Sequence, residues 1–169
     1  PCGDTLTDNR DGQAYKTVRI GDQCWMAENL NYGMMVQSSQ SMQNDGVDEK
    51  YCYENDSVKC SVYGGIYEWG EMMGYDSTEG TQGICPPGWH IPSENDWVIL
   101  EIFLGGPSVA GAKMKVTGSS WFNNSNATNS SGFSALAGGY KTSGASFSNE
   151  RYQALFWTST RIFPPAYHI

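Results

Sequence analysis

The segment GICPPGWHIPSENDW, residues 83–97, carries the clearest structural instruction in the chain. Cys85-Pro86-Pro87-Gly88 specifies a rigid turn, because proline fixes φ and glycine accepts a bend other residues resist. Ser93 stands where a helix N-cap belongs, and Asp96 has the spacing of a capping box. The helix begun there carries Trp97, Leu100 and Leu104 as one apolar stripe. Val98, Ile99, Ile102 and Phe103 widen it until Gly105-Gly106 stops the run. So much apolar surface predicts a largely buried helix.

Working outward, Gly65 to Met73 (GIYEWGEMM) places Ile66, Trp69, Met72 and Met73 at helical spacing, with Gly74 suited to a left-handed C-terminus. Further upstream, Gln13 to Ile20 is rich in β-formers, with Lys16, Val18 and Ile20 on one face. Gly21-Asp22 is a turn, and Gln23 to Met26 returns as the second strand of a hairpin. Residues 33 to 50 are polar and low in complexity, which predicts a surface loop or a disordered excursion. After Gly118, short aromatic runs alternate with Gly, Ser and Asn, as in an antiparallel sheet with long loops. Two early helices followed by a loop-rich sheet make an α+β chain, and 1–169 suits a single domain.

Composition narrows the function. The 169 residues carry a net charge of -8, and the ten basic residues are scattered singly, so no stripe exists to neutralise phosphates or anionic lipid. Nucleic acid is therefore excluded as a partner. The longest apolar run, Trp97 to Leu104, is broken by Glu101 and is far short of a membrane span. Charged residues make up 17%, low for a soluble domain, with Ser, Thr, Asn and Gly supplying the polarity. That balance is common in extracellular domains. The chain opens at Pro1-Cys2, with neither an initiating Met nor a signal peptide, as expected if a leader is removed or the chain is part of a longer one.

The five cysteines form no CxxC pair, and only His90 and His168 accompany them, so no zinc set is expected. Cys52 and Cys60 bracket a short polar loop (Glu54-Asn55-Asp56-Ser57) that suits a hairpin end closed by a disulfide. Cys2 and Cys24 then tie the N-terminal arm to the first hairpin. Cys85 is left over: its partner is missing, lies on another chain, or does not exist. Both histidines read as loop or core residues rather than bases. TDNRDG (7–12) has calcium-loop residue types in Asp8, Asn9 and Asp11. The later oxygen ligands of such a loop are absent, so a polar turn is expected. The acidic cluster at Asp45, Asp48 and Glu49 reads as a solvated loop.

Taken together, DGQAYKTVRIGDQCWMAENLN (11–31), YCYEN (51–55), YGGIYEWGEMM (63–73), GICPPGWHIPSENDW (83–97), SGFSALAGGY (131–140) and FWTST (156–160) resemble the Fibrobacter succinogenes major paralogous domain family. The resemblance implies a bacterial surface or secreted module with a C-type-lectin-like fold, two helices packed against a small, loop-rich antiparallel sheet. That fold is shared with formylglycine-generating enzymes. The resemblance also implies further strands after FWTST, ending in a cysteine that would pair with Cys85; on that reading 1–169 lacks its final C-terminal strand or strands.

The generating enzymes use metal-assisted cysteine oxidation, and no late cysteine pair matches it here, so no catalysis and no cofactor are expected. The calcium-dependent sugar signatures of lectins are also absent. Trp121, Phe122, Asn123, Asn124, Asn126 and Asn129 instead combine a flat aromatic surface with amides, the chemistry that stacks on a pyranose and forks its hydroxyls. Tyr140, Tyr152 and Trp157 would add area; the competing reading puts Trp157 and Phe133 in the core. Two roles follow: adhesion through glycan or polysaccharide, or assembly with neighbouring surface-protein chains. A generating-type oxidoreductase is a distant third.

Overall fold

The computed structural model describes residues 1–161, and over them the chain is α+β. His168 lies outside the described residues. Strand β1 (Thr5–Thr7) pairs antiparallel with β2 (Ala14–Ile20), and β2 pairs antiparallel with β3 (Gln23–Met26). The expected Gly21-Asp22 turn joins the last two, with Gly21 at φ 61°. The turn favours glycine for its conformation, and a Cβ at Gly21 would also sit 3.0 Å from the Phe103 ring, which would have to give. Lys16 is exposed, while Val18 and Ile20 pack on the core from the same face of β2.

The polar stretch 33–50 is ordered. Strand β4 (Met34–Met35) runs parallel to β5 (Glu49–Lys50), and Val36 and Met42 are buried against Tyr51. Backbone satisfaction explains the order. Ser38 donates its N–H to the Asn55 side chain, Gln43 to Glu49, and Glu49 to the buried Glu71 carboxylate.

Four α-helical segments appear among the described residues where two were expected. Helix α1 (Ser57–Tyr63) replaces the expected hairpin end: Asp56 caps it by accepting from the Val58 N–H, and Gly64 ends it at φ 80°. Helix α2 (Trp69–Met72) is one turn. The backbone ahead of it is committed elsewhere, Gly65 N–H to Leu30 and Ile66 to Tyr51 in a two-way bridge. Helix α3 (Glu94–Phe103) has the expected capping box between Ser93 and Asp96. It is not largely buried. Trp97, Leu100 and Leu104 face inward, whereas Ile99, Ile102 and Phe103 are 45%, 70% and 62% exposed. Helix α4 (Pro107–Met114) follows Gly106 with proline in its first turn.

The late region yields a single hairpin, β6 (Gly138–Lys141) against β7 (Phe147–Glu150). RYQALFWTST opens in the turn at Arg151 and Tyr152, bridges Ala154 in parallel to Gly139, and ends in bends at Ser159 and Thr160 without forming a named strand. The main core joins these parts: Trp25 lies 4.8 Å from Trp97, and Trp97 lies 5.5 Å from Phe156. Disulfides Cys2–Cys24 and Cys52–Cys60 form as their spacing suggested.

Replacing the cap, Ser93→Ala, removes the acceptor of the Asp96 N–H and should cost about 1 kcal/mol. Urea denaturation should show a lower midpoint with an unchanged slope.

Candidate functional site

The loop after α4 divides its aromatic pair. Trp121 turns inward and is 7% exposed, its Nε1–H donating to the Ala135 carbonyl at 2.9 Å and Lys115 Nζ standing 4.7 Å over its ring. It is a core residue and offers no face to a ligand. Phe122, its neighbour, points outward and is 51% exposed. The Phe122 N–H donates to Arg151 at 2.7 Å, which pins the loop to the turn after β7. On that turn stands Tyr152, 59% exposed, with its ring centroid 5.0 Å from that of Phe122 and the planes 32° apart.

The asparagines divide in the same way. Asn123 and Asn126 are exposed. Asn124 is part-buried and holds the loop by donating from Nδ2 to the carbonyls of Val116 and Gly118. Its Oδ1 is buried with no hydrogen-bond partner among the described residues. Asn129 adopts φ 48° and brackets Ser134, accepting its N–H and donating to its hydroxyl. The six residues thus comprise an outer set, Phe122, Asn123 and Asn126, and an inner set that shapes the loop. Tyr140 and Trp157 are part-buried, and the Trp157 Nε1–H donates to the Tyr67 carbonyl. Trp157 packs on a second core cluster and Phe133 lies in the main one, as the competing reading had them.

The other candidates have structural work. Asp8 is fully buried, and Arg10 binds both of its carboxylate oxygens while stacking 3.7 Å above the Tyr32 ring. The Arg10 hydrogen bonds hold the Asp8 carboxyl below its ordinary value. His90 is exposed, 3.5 Å from the Asp96 carboxylate. Cys85 is unpaired and buried, and burial pushes its thiol up to about 12, the reverse of what a nucleophile needs.

A large groove lies apart from the Phe122–Tyr152 pair. Its volume is about 1480 Å³, and its lining includes the whole run from Asp22 to Leu30, the rings of Trp97 and Phe156, and Leu155. No feature of the residue pattern announces it, because it is made by elements distant in the chain.

Two outcomes check these assignments. Trp121→Ala should cost about 3–5 kcal/mol in unfolding free energy, as for a core aromatic, and Phe122→Ala no more than about 0.5. Because the Asp8 carboxyl is depressed, its support is complete above the ordinary value of 3.8 and is lost as pH falls through the lower folded value. Arg10→Ala should lower stability at neutral pH by about 2 kcal/mol and flatten this acid limb in pH-dependent denaturation.

Comparison with known proteins matches the chain to a family. Residues 18–166 fit the family model described as the Fibrobacter succinogenes major domain. No curated protein and no solved structure matches the chain.

Proposed function

We propose that this chain, which belongs to the Fibrobacter succinogenes major domain family, is a non-catalytic module of a bacterial secreted or outer-surface protein that binds glycan or polysaccharide. The observation that carries the reading is the exposed Phe122–Tyr152 pair, fixed side by side through the Phe122–Arg151 backbone bond. Such rings offer apolar area with little conformational freedom to lose, matched to the C–H face of a pyranose. Asn123 and Asn126, exposed on the same loop as Phe122, offer amide donors and acceptors for hydroxyls. The loop beneath is held by side chains rather than left free, which reduces the ordering cost of binding.

The two disulfides support an oxidising compartment outside the cytoplasm. No helix among the described residues is long and apolar enough to cross a membrane. The proposal extends to a C-type-lectin-like fold, supported by the turn-and-cap sequence into α3 packed against the β2–β3 hairpin. A second reading, an assembly subunit, is supported by the apolar residues Ile99, Ile102 and Phe103 that α3 presents to solvent.

A glycan array of bacterial and plant polysaccharides, followed by titration calorimetry on the best ligand, tests the first reading. Phe122→Ala and Tyr152→Ala should each weaken binding tenfold or more, about 1.4 kcal/mol, without unfolding the domain. Binding that survives both substitutions places the ligand elsewhere and removes the platform from consideration.

A further inference from the structure

We propose that the Cys2–Cys24 bridge is a thiol-exchange site, opened by a small aliphatic thiol from solution, and that opening it frees the N-terminal arm while the domain stays folded. The two bridges differ in their surroundings. Cys52 and Cys60 are 1% and 4% exposed, and the Cys60 Sγ lies 3.6 Å from the carbonyl of the fully buried Tyr51. Cys2 and Cys24 are both exposed. Exchange begins when a thiolate attacks a disulfide sulfur, so access decides which bridge a dissolved thiol reaches. The incoming thiolate bonds to one sulfur of the bridge, and the other departs as a thiolate that takes a proton from solvent. A second thiolate then attacks the small-thiol sulfur of the mixed disulfide and releases the remaining cysteine. Two protein thiols and one disulfide of the small thiol result, the two electrons having come from the pair of small thiols.

The geometry shows what the bridge holds. Strand β1 has three residues, and only Leu6 of them is partly buried. Ahead of β1 the arm is latched at Thr17, whose Oγ1 accepts the Gly3 N–H at 2.9 Å and donates to the Asp4 carbonyl at 2.7 Å. A chain end held by so few bonds opens locally at small cost once its covalent tie is cut. The rest of the domain does not lean on it. The main core draws on Ile20, Trp25 and Trp97 and on nothing ahead of β2, and β2 keeps its own register with β3. Release also has a defined end. Buried Asp8 is fastened by Arg10 and by its own N–H bond to the Gln13 carbonyl. Cys2, Asp4, Thr5 and Leu6 line one side of the large groove, so the state of one bridge sets whether that side is in place.

The test exposes the full native chain to rising 2-mercaptoethanol, alkylates it with iodoacetamide under native conditions, and locates the labels by peptide mass spectrometry. Cys2 and Cys24 should label at least about tenfold faster than Cys52 and Cys60, with buried Cys85 unlabelled in the same window. In the opened protein the β1 amides should exchange hydrogen at least about tenfold faster, while the amides of β2 and β3 that pair with each other keep their protection. The double substitution Cys2→Ser with Cys24→Ser should give the same exchange pattern with no thiol present. Equal labelling of the two bridges would overturn the proposal, because access would then not select between them. Labelling of Cys85 alongside Cys2 and Cys24, or fast exchange throughout the double variant, would overturn it by showing that the bridge holds the whole domain. Unchanged protection of β1 with the bridge open would overturn it by showing that the arm stays in place unaided.

Discussion

Indole N–H groups bonded to carbonyls of irregular chain hold this domain together. Regular ladders are short, so most backbone polar groups that become buried must find partners outside them. Tryptophans meet part of that demand. Trp69 donates to Thr158, Trp157 to Tyr67, Trp97 to Trp157 and Trp121 to Ala135. Each ring buries a large apolar surface and, with the same side chain, fixes a stretch of backbone that no strand pairs. The run 156–160 depends on this, together with the Ser159 N–H bond to Pro92 and the Glu94 N–H bond to Thr160.

The same economy shapes the candidate site. The inner residues Trp121, Asn124 and Asn129 spend their polar atoms on the loop's own backbone, and the outer residues are thereby held out toward solvent. Phe122 and Tyr152 come from segments thirty residues apart in the chain and meet because one backbone hydrogen bond closes the distance. Rigidity here comes from side chain to backbone bonding, as the low content of strand and helix requires.

Features governed by local chemistry were legible in the residues: the α3 capping box, the β2–β3 turn and the Cys52–Cys60 bridge rest on near neighbours or short spacings, and Cys2–Cys24 followed from the cysteines that remained. Helix α1 was obscured because Asn55, Asp56 and Ser57 serve equally as turn and N-cap residues, and a Cys52–Cys60 bridge closes either arrangement. Helix α4 had a signal in Pro107 after Gly105-Gly106, masked by the small, weakly periodic residues that follow. The order in 33–50 was illegible because it rests on distant carboxylates and amides, Glu71 and Asn55 among them. In the site, composition identified the loop but not the direction of each ring. Trp121 and Phe122 are adjacent and chemically alike, and what separates them is the Ala135 carbonyl, which lies inside.

The burial of Cys85 has a consequence for how the protein acquires its covalent form. Within these 169 residues the five thiols can pair in many ways, and Cys85 offers a wrong partner to each of the other four. Once the cluster of Met72, Met73, Ile84 and Ile91 closes around it, the Cys85 thiol sits at about 12. Its thiolate population at neutral pH is then below that of a free cysteine by a factor of about a thousand or more. Exchange proceeds through thiolates, so packing retires this competitor and leaves Cys2, Cys24, Cys52 and Cys60 to settle between themselves. The order of events matters for oxidative refolding: collapse of this cluster before oxidation favours the native bridges, and oxidation first invites scrambling.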